Sequence, residues 1–216
     1  MTLIDHDTRL QNRLAMLRGI SWRTYESLLE DFGSRRVFLT YDHGDLEIMA
    51  PLPIHERWNS VLRWLVEAIS DELGIPVVTF GSTTFRREDL ERGLEPDCCY
   101  YVQNAKEMIG KNRIDLAIHQ PPDLAIEIDI THRSIAREPI YAALGVPELW
   151  RYDQKRLTFL ELTAAGDYRM TAKSLAFPFL AARVAEQFLA DLQPGDDSLT
   201  RRELRQWVRT TFPHAL

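Results

Sequence analysis

The sequence predicts an α/β (α+β) fold in which helices flank a central mixed β-sheet. Residues 124–130, which follow two prolines, are almost wholly apolar and rich in isoleucine, as is typical of a strand buried on both faces. Residues 54–73 carry apolar side chains at helical spacing and end at Gly74, which indicates a long amphipathic helix. Residues 148–171 contain three short strand-like segments, which are predicted to form a meander. Strands and helices mixed in this way are typical of one domain built on a central sheet.

The first fifty residues are predicted to form two helices and a hairpin. Apolar residues recur at helical spacing over residues 8–18, and Gly19 follows as a stop. A second helix is predicted from a Ser21 cap to Gly33. Residues 37–41 and 45–49 flank a His-Gly pair, a pattern that predicts a β-hairpin.

The remaining elements follow from the same periodicities, and residues 86–93 are interpreted as a charged loop. No repeat or long linker divides the chain, so we expect a single domain over residues 1–216. The N-terminal helices (about 8–33) and C-terminal helices (about 181–212) are expected to pack on it. The further predicted strands are 76–85, 97–102, 148–152, 156–162 and 168–171, and the further predicted helices are 104–110 (a short helix or turn), 134–144, 181–192 and 199–211.

Composition excludes several classes of protein. Hydrophobic residues make up 45% and charged residues 27% of the chain, as in an ordinary globular domain. No apolar run approaches the roughly 20 residues that a membrane span needs, and the polar, acidic N-terminus does not resemble a signal peptide. The two cysteines are adjacent, so no disulfide framework is expected, and a reduced cytoplasmic protein is predicted. The net charge of −6 is not that of a general nucleic-acid binder.

Four acidic residues are candidates for one metal site. Glu127 and Asp129 lie two residues apart in the predicted buried strand, so both point to the same face. Buried carboxylates are costly unless a positive charge holds them, and a divalent metal would do so. Glu47 lies among apolar residues of the hairpin, and Asp97 follows a proline at the start of a strand. Structural alternatives stay open: Glu47 as a solvated strand residue, and Asp97 and Asp129 as acceptors of backbone hydrogen bonds.

Four segments in the same order resemble the Uma family of restriction endonucleases, within the PD-(D/E)XK nuclease superfamily. The similarity runs from about residue 21 to residue 189. The segments are LEIMAPLPIHE (46–56), EPDCCYY (95–101), PDLAIEIDIT (122–131) and YAALGVPELWRYD (141–153).

The resemblance implies a restriction-endonuclease-like fold and cleavage of DNA that depends on Mg²⁺ or Mn²⁺. Asp97 and Glu127 would be the metal ligands, and Glu47 would be an accessory acid. His55, at the start of the long helix, would be a polar member of the same site, with a helix-capping role as the alternative. By analogy with restriction-type enzymes, a homodimer is also expected.

One position departs from the superfamily pattern. The lysine expected two residues after the glutamate is replaced by Asp129, and relatives with a similar segment carry a lysine at the position of Arg137. Arginine can stabilise a phosphate, but its pKa above about 12 makes it a poor proton-transfer group. Arg133, in the same loop, is a second candidate for this role.

Three functional hypotheses follow. The first is a Mg²⁺-dependent DNA endonuclease in which Arg137 stabilises the phosphate. The second is a catalytically impaired nuclease-fold protein that acts as a nucleic-acid-binding or assembly module. The third is metal-free acid–base hydrolysis by the two carboxylates, which requires one of them to be protonated near neutral pH.

Two groups of arginines are further candidates for contacts with DNA. Arg86 and Arg87 lie in the charged loop that leads to Asp97, where they would either grip the phosphate backbone or pair with the interleaved acids. Three arginines recur every four residues in the last predicted helix and form a basic stripe. A solvated face is the default interpretation of such a stripe, with contact to DNA or a partner as the alternative. The stripe consists of Arg201, Arg205 and Arg209.

Overall fold

The central sheet is mixed and confirms the predicted fold class. The computed structural model describes residues 14–33, 35, 37–130, 134–192 and 195–213. Within these, the six strands of the sheet follow the order β11-β10-β9-β8-β7-β4, and only β8 and β9 pair in parallel. The strands are β4 (Val78–Thr79), β7 (Cys98–Tyr101), β8 (Leu124–Ile128), β9 (Glu148–Tyr152), β10 (Leu157–Leu162) and β11 (Tyr168–Thr171).

A second, antiparallel sheet was not predicted as a separate unit. It contains the predicted hairpin and has the strand order β1-β3-β2-β6-β5. The predicted loop over residues 86–93 is instead part of a hairpin, whose strands are joined by a short 3₁₀ turn at Glu88–Leu90. The five strands are β1 (Leu14–Leu17), β2 (Phe38–Asp42), β3 (Asp45–Met49), β5 (Phe85–Arg87) and β6 (Arg92–Leu94).

The helix predicted over residues 8–18 is wrong for the part that the structure describes. Leu14–Leu17 forms strand β1, and residues 8–13 lie outside the described residues. Burial alternates along this strand, which pairs with β3 from Leu14 opposite Met49 to Leu17 opposite Leu46. A four-residue apolar segment fits both periods, so the free edge of β3 decides the outcome.

The other helices agree closely with the predictions, except at one start. Ser21 caps α1, since its hydroxyl accepts a hydrogen bond from the Thr24 N–H at 3.2 Å. The predicted helix 134–144 begins only at residue 138. Along the described chain the helices are α1 (Trp22–Phe32), α2 (Pro53–Leu73), α3 (Ala105–Met108), α4 (Glu138–Leu144), α5 (Ala182–Asp191) and α6 (Asp197–Thr211). None of them is both long and apolar enough to span a membrane.

Strand β8 is buried on both faces because a helix covers each of them. On one face Leu62 and Leu65 of α2 belong to the same apolar cluster as Ile126. On the other face Ile140 of α4 clusters with Ala125. Each fully buried aliphatic side chain contributes about 1.5–3 kcal/mol, so this packing fixes β8 between the two helices.

The arginines of the basic stripe on α6 contact side chains of α2. Arg205 Nε lies 2.5 Å from Glu72 Oε1, and Arg209 Nη1 lies 2.9 Å from Glu72 Oε2 on α2. Arg201 places its guanidinium carbon 5.1 Å from the centre of the Trp64 ring. The stripe therefore forms ion pairs with α2 while its three arginines stay solvent-exposed, as the default interpretation of a solvated face expects.

Candidate active site

Asp97 and Glu127 are neighbours across two adjacent strands. The antiparallel register pairs Cys98 of β7 with Ile126 of β8, so one further step brings Asp97 opposite Glu127. Asp97 Oδ2 accepts a hydrogen bond from the Ile128 N–H at 2.7 Å. Asp97 is 2% and Glu127 6% exposed. The structure thus brings together the two acids predicted to bind metal.

Glu127 is held by two side chains from the start of α4. Arg137 Nη1 donates to Glu127 Oε2 at 2.8 Å, and the Tyr141 hydroxyl donates to Oε1. Arg137 Nη2 also donates to the Glu95 carbonyl. Burial alone would lower the pKa of Arg137, but Glu127 and the other acids around it raise that pKa above its ordinary range. Arg137 is therefore a fixed positive charge beside the carboxylate.

Tyr141 was not singled out by the sequence analysis. Burial, followed by the charge of Glu127, raises the pKa of Tyr141 well above its ordinary value, so the hydroxyl stays protonated and remains a donor. Its spacing from Arg137 could have indicated Tyr141 as a site residue, because residues four apart share a face of a helix. The guanidinium carbon of Arg137 lies 5.7 Å from the Tyr141 ring centre.

Glu47 is buried and binds the loop before α4. It is 1% exposed, so the alternative of a solvated strand residue is wrong. Its Oε2 accepts hydrogen bonds from the N–H groups of Ser134 and Ile135, at 2.5 Å and 3.2 Å. Among the described residues, its Oε1 has no hydrogen-bond partner. The segment that Glu47 holds precedes α4, which begins at Glu138 with Pro139 in its first turn.

His55 contacts Asp97 and is not the N-cap of α2, which is Leu52. It lies in the first turn of α2, is buried, and places Nε2 3.2 Å from Asp97 Oδ2. One turn later, Asn59 Nδ2 donates to the Asp97 carbonyl at 3.2 Å. The first turns of α2 therefore contact Asp97 at two points: His55 lies beside its carboxylate, and Asn59 binds its backbone carbonyl.

Asp129, the residue directly after β8, lines the same cavity as Glu127. It is half-exposed, and its Oδ2 lies 3.9 Å from Arg151 Nε on β9. The cavity has a volume of about 570 Å³. Its lining consists of Glu127, Asp129, Ser134, Ile135, Ala136, Arg137, Glu138, Pro139, Tyr141, Leu149, Arg151 and Leu160.

A second cavity, of about 380 Å³, lies on the Asp97 side. Arg63 and Asn59 of α2 line it together with Glu95 and Asp97. Burial raises the pKa of Glu95, whose carboxyl group accepts hydrogen bonds from the Leu39 N–H and the Thr84 hydroxyl. Glu127 thus borders the first cavity and Asp97 the second.

The remaining predicted arginines lie away from these cavities or outside the described residues. Arg87 forms a bidentate ion pair with Asp89, as expected for a self-paired loop. Its Nε lies 2.7 Å from Oδ1, and its Nη2 lies 2.6 Å from Oδ2. Arg86 Nη1 lies 3.7 Å from Glu26 Oε1. Neither arginine lines either cavity. Arg133 lies outside the described residues.

The donor set at Asp97 and Glu127 suits a hard divalent cation. No cluster of three or more histidine, cysteine or acidic side chains suited to a metal occurs in the described parts of the chain. Mg²⁺ is commonly held by one or two carboxylates, with water and substrate oxygens completing its shell. A carboxylate offers about four lone-pair sites, so Glu127 can keep its contacts with Arg137 and Tyr141 and still bind a cation. These two carboxylates are therefore candidate ligands for a divalent cation.

The mixed sheet places the two acids close together, with Asp97 directly before β7 and Glu127 in β8. A family model, Uma2, described as "Putative restriction endonuclease", matches residues 22–193. The chain belongs to this family, which confirms the resemblance noted in the sequence. No curated protein matches the chain. A similar solved structure is a "putative nuclease belonging to DUF820" from Anabaena variabilis, with 13% identity, a TM-score of 0.42, and coverage of 79% of this chain and 90% of that one.

Proposed function

We propose that this protein is a nuclease that hydrolyses DNA phosphodiester bonds with Mg²⁺ or Mn²⁺. The observation that carries the proposal is the buried pair of Asp97, the residue directly before β7, and Glu127 of the adjacent strand β8. Membership of a family described as restriction endonucleases supports the same reaction class. A divalent cation bound there would polarise the phosphoryl group and lower the pKa of a bound water.

The surrounding residues orient these two acids. The Ile128 N–H donates to Asp97 Oδ2, which orients its carboxylate, and His55 Nε2 lies 3.2 Å from the same oxygen. Arg137 and Tyr141 hold the two oxygens of Glu127. Groups of this kind, which contact metal ligands without touching the metal, commonly contribute about 10–100-fold to metal affinity or activity.

The contacts of Glu47 favour a positioning role in place of the accessory acid first expected. Its carboxylate fixes the N–H groups of Ser134 and Ile135, and Arg137 follows two residues later. Glu47 thereby anchors the segment that brings Arg137 to Glu127. Asp129, in the cavity beside Glu127, is proposed to shape the approach of the substrate.

The test is metal-dependent cleavage of a supercoiled plasmid. We expect Asp97→Asn and Glu127→Gln to abolish cleavage in Mg²⁺ or Mn²⁺, because each removes one charged ligand. Glu148→Gln is a matched control, since Glu148 is also a fully buried carboxylate but binds Trp150 and the 174–176 segment. Unchanged cleavage in both site variants would contradict the assignment, and cleavage insensitive to a chelator would favour metal-free hydrolysis.

One observation favours the second candidate, a binding or assembly module with impaired catalysis. Arg137, at the position of the expected lysine, is already engaged by Glu127 and the Glu95 carbonyl. In the part of the chain that the structure describes, no lysine lines either cavity. Arg137→Lys separates the candidates. A gain of cleavage would show a site competent for chemistry, whereas silence with intact metal binding would favour the module.

A further inference from the structure

We propose that Arg151 binds a phosphodiester group of the nucleic-acid substrate in the cavity beside Glu127. The inference rests on the proposed function and names the positively charged side chain that contacts the substrate in this cavity. Arginine suits this contact because its planar fork donates two parallel hydrogen bonds to phosphate oxygens.

The strand register places Arg151 beside Glu127. Strands β8 and β9 run parallel, and Glu127 of β8 is paired with Arg151 of β9. Both residues line the same cavity of about 570 Å³. The Arg151 side chain is 46% exposed, so a polymer outside the protein can reach it.

Arg137 is poorly placed for the same contact. Its side chain is buried, and its Nη1 and Nη2 groups donate to Glu127 and to the Glu95 carbonyl. Contact with a substrate phosphate through either group would require that hydrogen bond to break. Breaking a buried ion pair is expensive, because it leaves a charge without compensation. Arg137 is therefore assigned to binding Glu127, and the contact with the substrate phosphate is assigned to the more exposed Arg151.

The acid at position 129 fits this arrangement. Where the resemblance leads one to expect a lysine, Asp129 instead lies 3.9 Å from the Arg151 guanidinium. Arg151 Nη1 also donates to Glu138 at the start of α4. The neighbouring strand thus supplies the positive charge that β8 lacks, and two carboxylates hold it at the cavity.

These ion pairs leave Arg151 able to bind an anion. A guanidinium has five N–H donors, and the two carboxylates engage only its Nη1 and Nε sides. Exposed ion pairs also contribute little to stability, so exchanging one of them for a phosphate contact costs little. Asp129 and Glu138 therefore orient the arginine without excluding the substrate.

The test measures binding of a short fluorescein-labelled DNA duplex over a series of NaCl concentrations in a chelator, where the proposed metal reaction cannot proceed. We expect Arg151→Ala to weaken binding roughly tenfold. We also expect the slope of log K against log salt to become shallower by about 0.9, the value for one lost phosphate contact. Arg151→Lys keeps the charge and should keep the slope.

Arg169→Ala is the matched control. Arg169 is an exposed arginine that pairs across neighbouring strands with Glu161, at 3.3 Å, but does not line the cavity. Its removal should leave affinity and slope unchanged. A purely structural role for Arg151 would change the melting temperature but not the salt slope.

Two outcomes would overturn the inference, and they differ in what else they affect. If Arg151→Ala matches the parent protein in affinity and slope, the inference fails, while plasmid cleavage still tests the proposed function independently. If the parent protein neither binds DNA nor cleaves it in Mg²⁺ or Mn²⁺, the proposed function fails and takes this inference with it.

Discussion

Replacing Arg137 by methionine should destabilise the protein strongly. Methionine keeps much of the length of the side chain but cannot donate to Glu127 Oε2, now 2.8 Å away, or to the Glu95 carbonyl. Both side chains of the ion pair are buried, at 5% and 8% exposure. Removal of one partner from a buried pair typically costs about 3–5 kcal/mol, because the other charge stays buried without compensation. We expect a loss of this size in the free energy of unfolding.

Urea unfolding of three variants measures this loss and assigns it to the pair. The variants are Arg137→Met, Glu127→Gln and the combination of the two. We expect the double variant to be less destabilised than the sum of the single variants by about 1–3 kcal/mol, as for residues in direct contact. A cost below about 1 kcal/mol for Arg137→Met, or additive effects, would refute the reasoning.

Three further predictions concern parts of the fold outside the site. Burial raises the pKa of Glu148, so its contribution to stability is complete below about pH 4 and is lost as pH rises through the folded pKa. The stability difference between the parent protein and Glu148→Gln, from urea unfolding at several pH values, should therefore decrease with rising pH, and a constant difference would contradict this. A Cβ on Gly93 would lie 2.3 Å from the Tyr25 hydroxyl, so Gly93→Ala should cost about 1–3 kcal/mol in thermal unfolding, and a neutral effect would argue against the close contact. Arg205→Ala and Arg209→Ala should each cost less than about 1 kcal/mol and leave DNA affinity unchanged, whereas weaker DNA binding would restore a substrate role to the stripe.

The long, strongly patterned elements were predictable from the sequence. The apolar run of β8 and the amphipathic face of α2 reflect burial that every residue of the segment shares. The five-stranded sheet was not predictable as a unit, because its strands have three to five residues each. For Leu14–Leu17, the presence of an open neighbouring strand decided between helix and strand, and that information lies more than twenty-five residues away in the chain.

The candidate site was predictable where local context is unusual. A glutamate between isoleucines, and an aspartate at the mouth of a buried strand, indicated the pair Glu127 and Asp97. Tyr141 and Arg151 gave weaker signals, because their positions at the site depend on helix packing and on strand register. The burial of Glu47 likewise depends on the loop that packs over it, since its local sequence also fits an exposed strand.

The central claim is that Asp97 and Glu127 together hold a divalent cation. Isothermal titration of the protein with Mn²⁺ tests it most directly, with Asp97→Asn, Glu127→Gln and the control Glu148→Gln measured alongside. We predict saturable binding in the parent protein and in the control, and loss of that binding in both site variants. Binding of equal affinity in all four proteins would contradict the account.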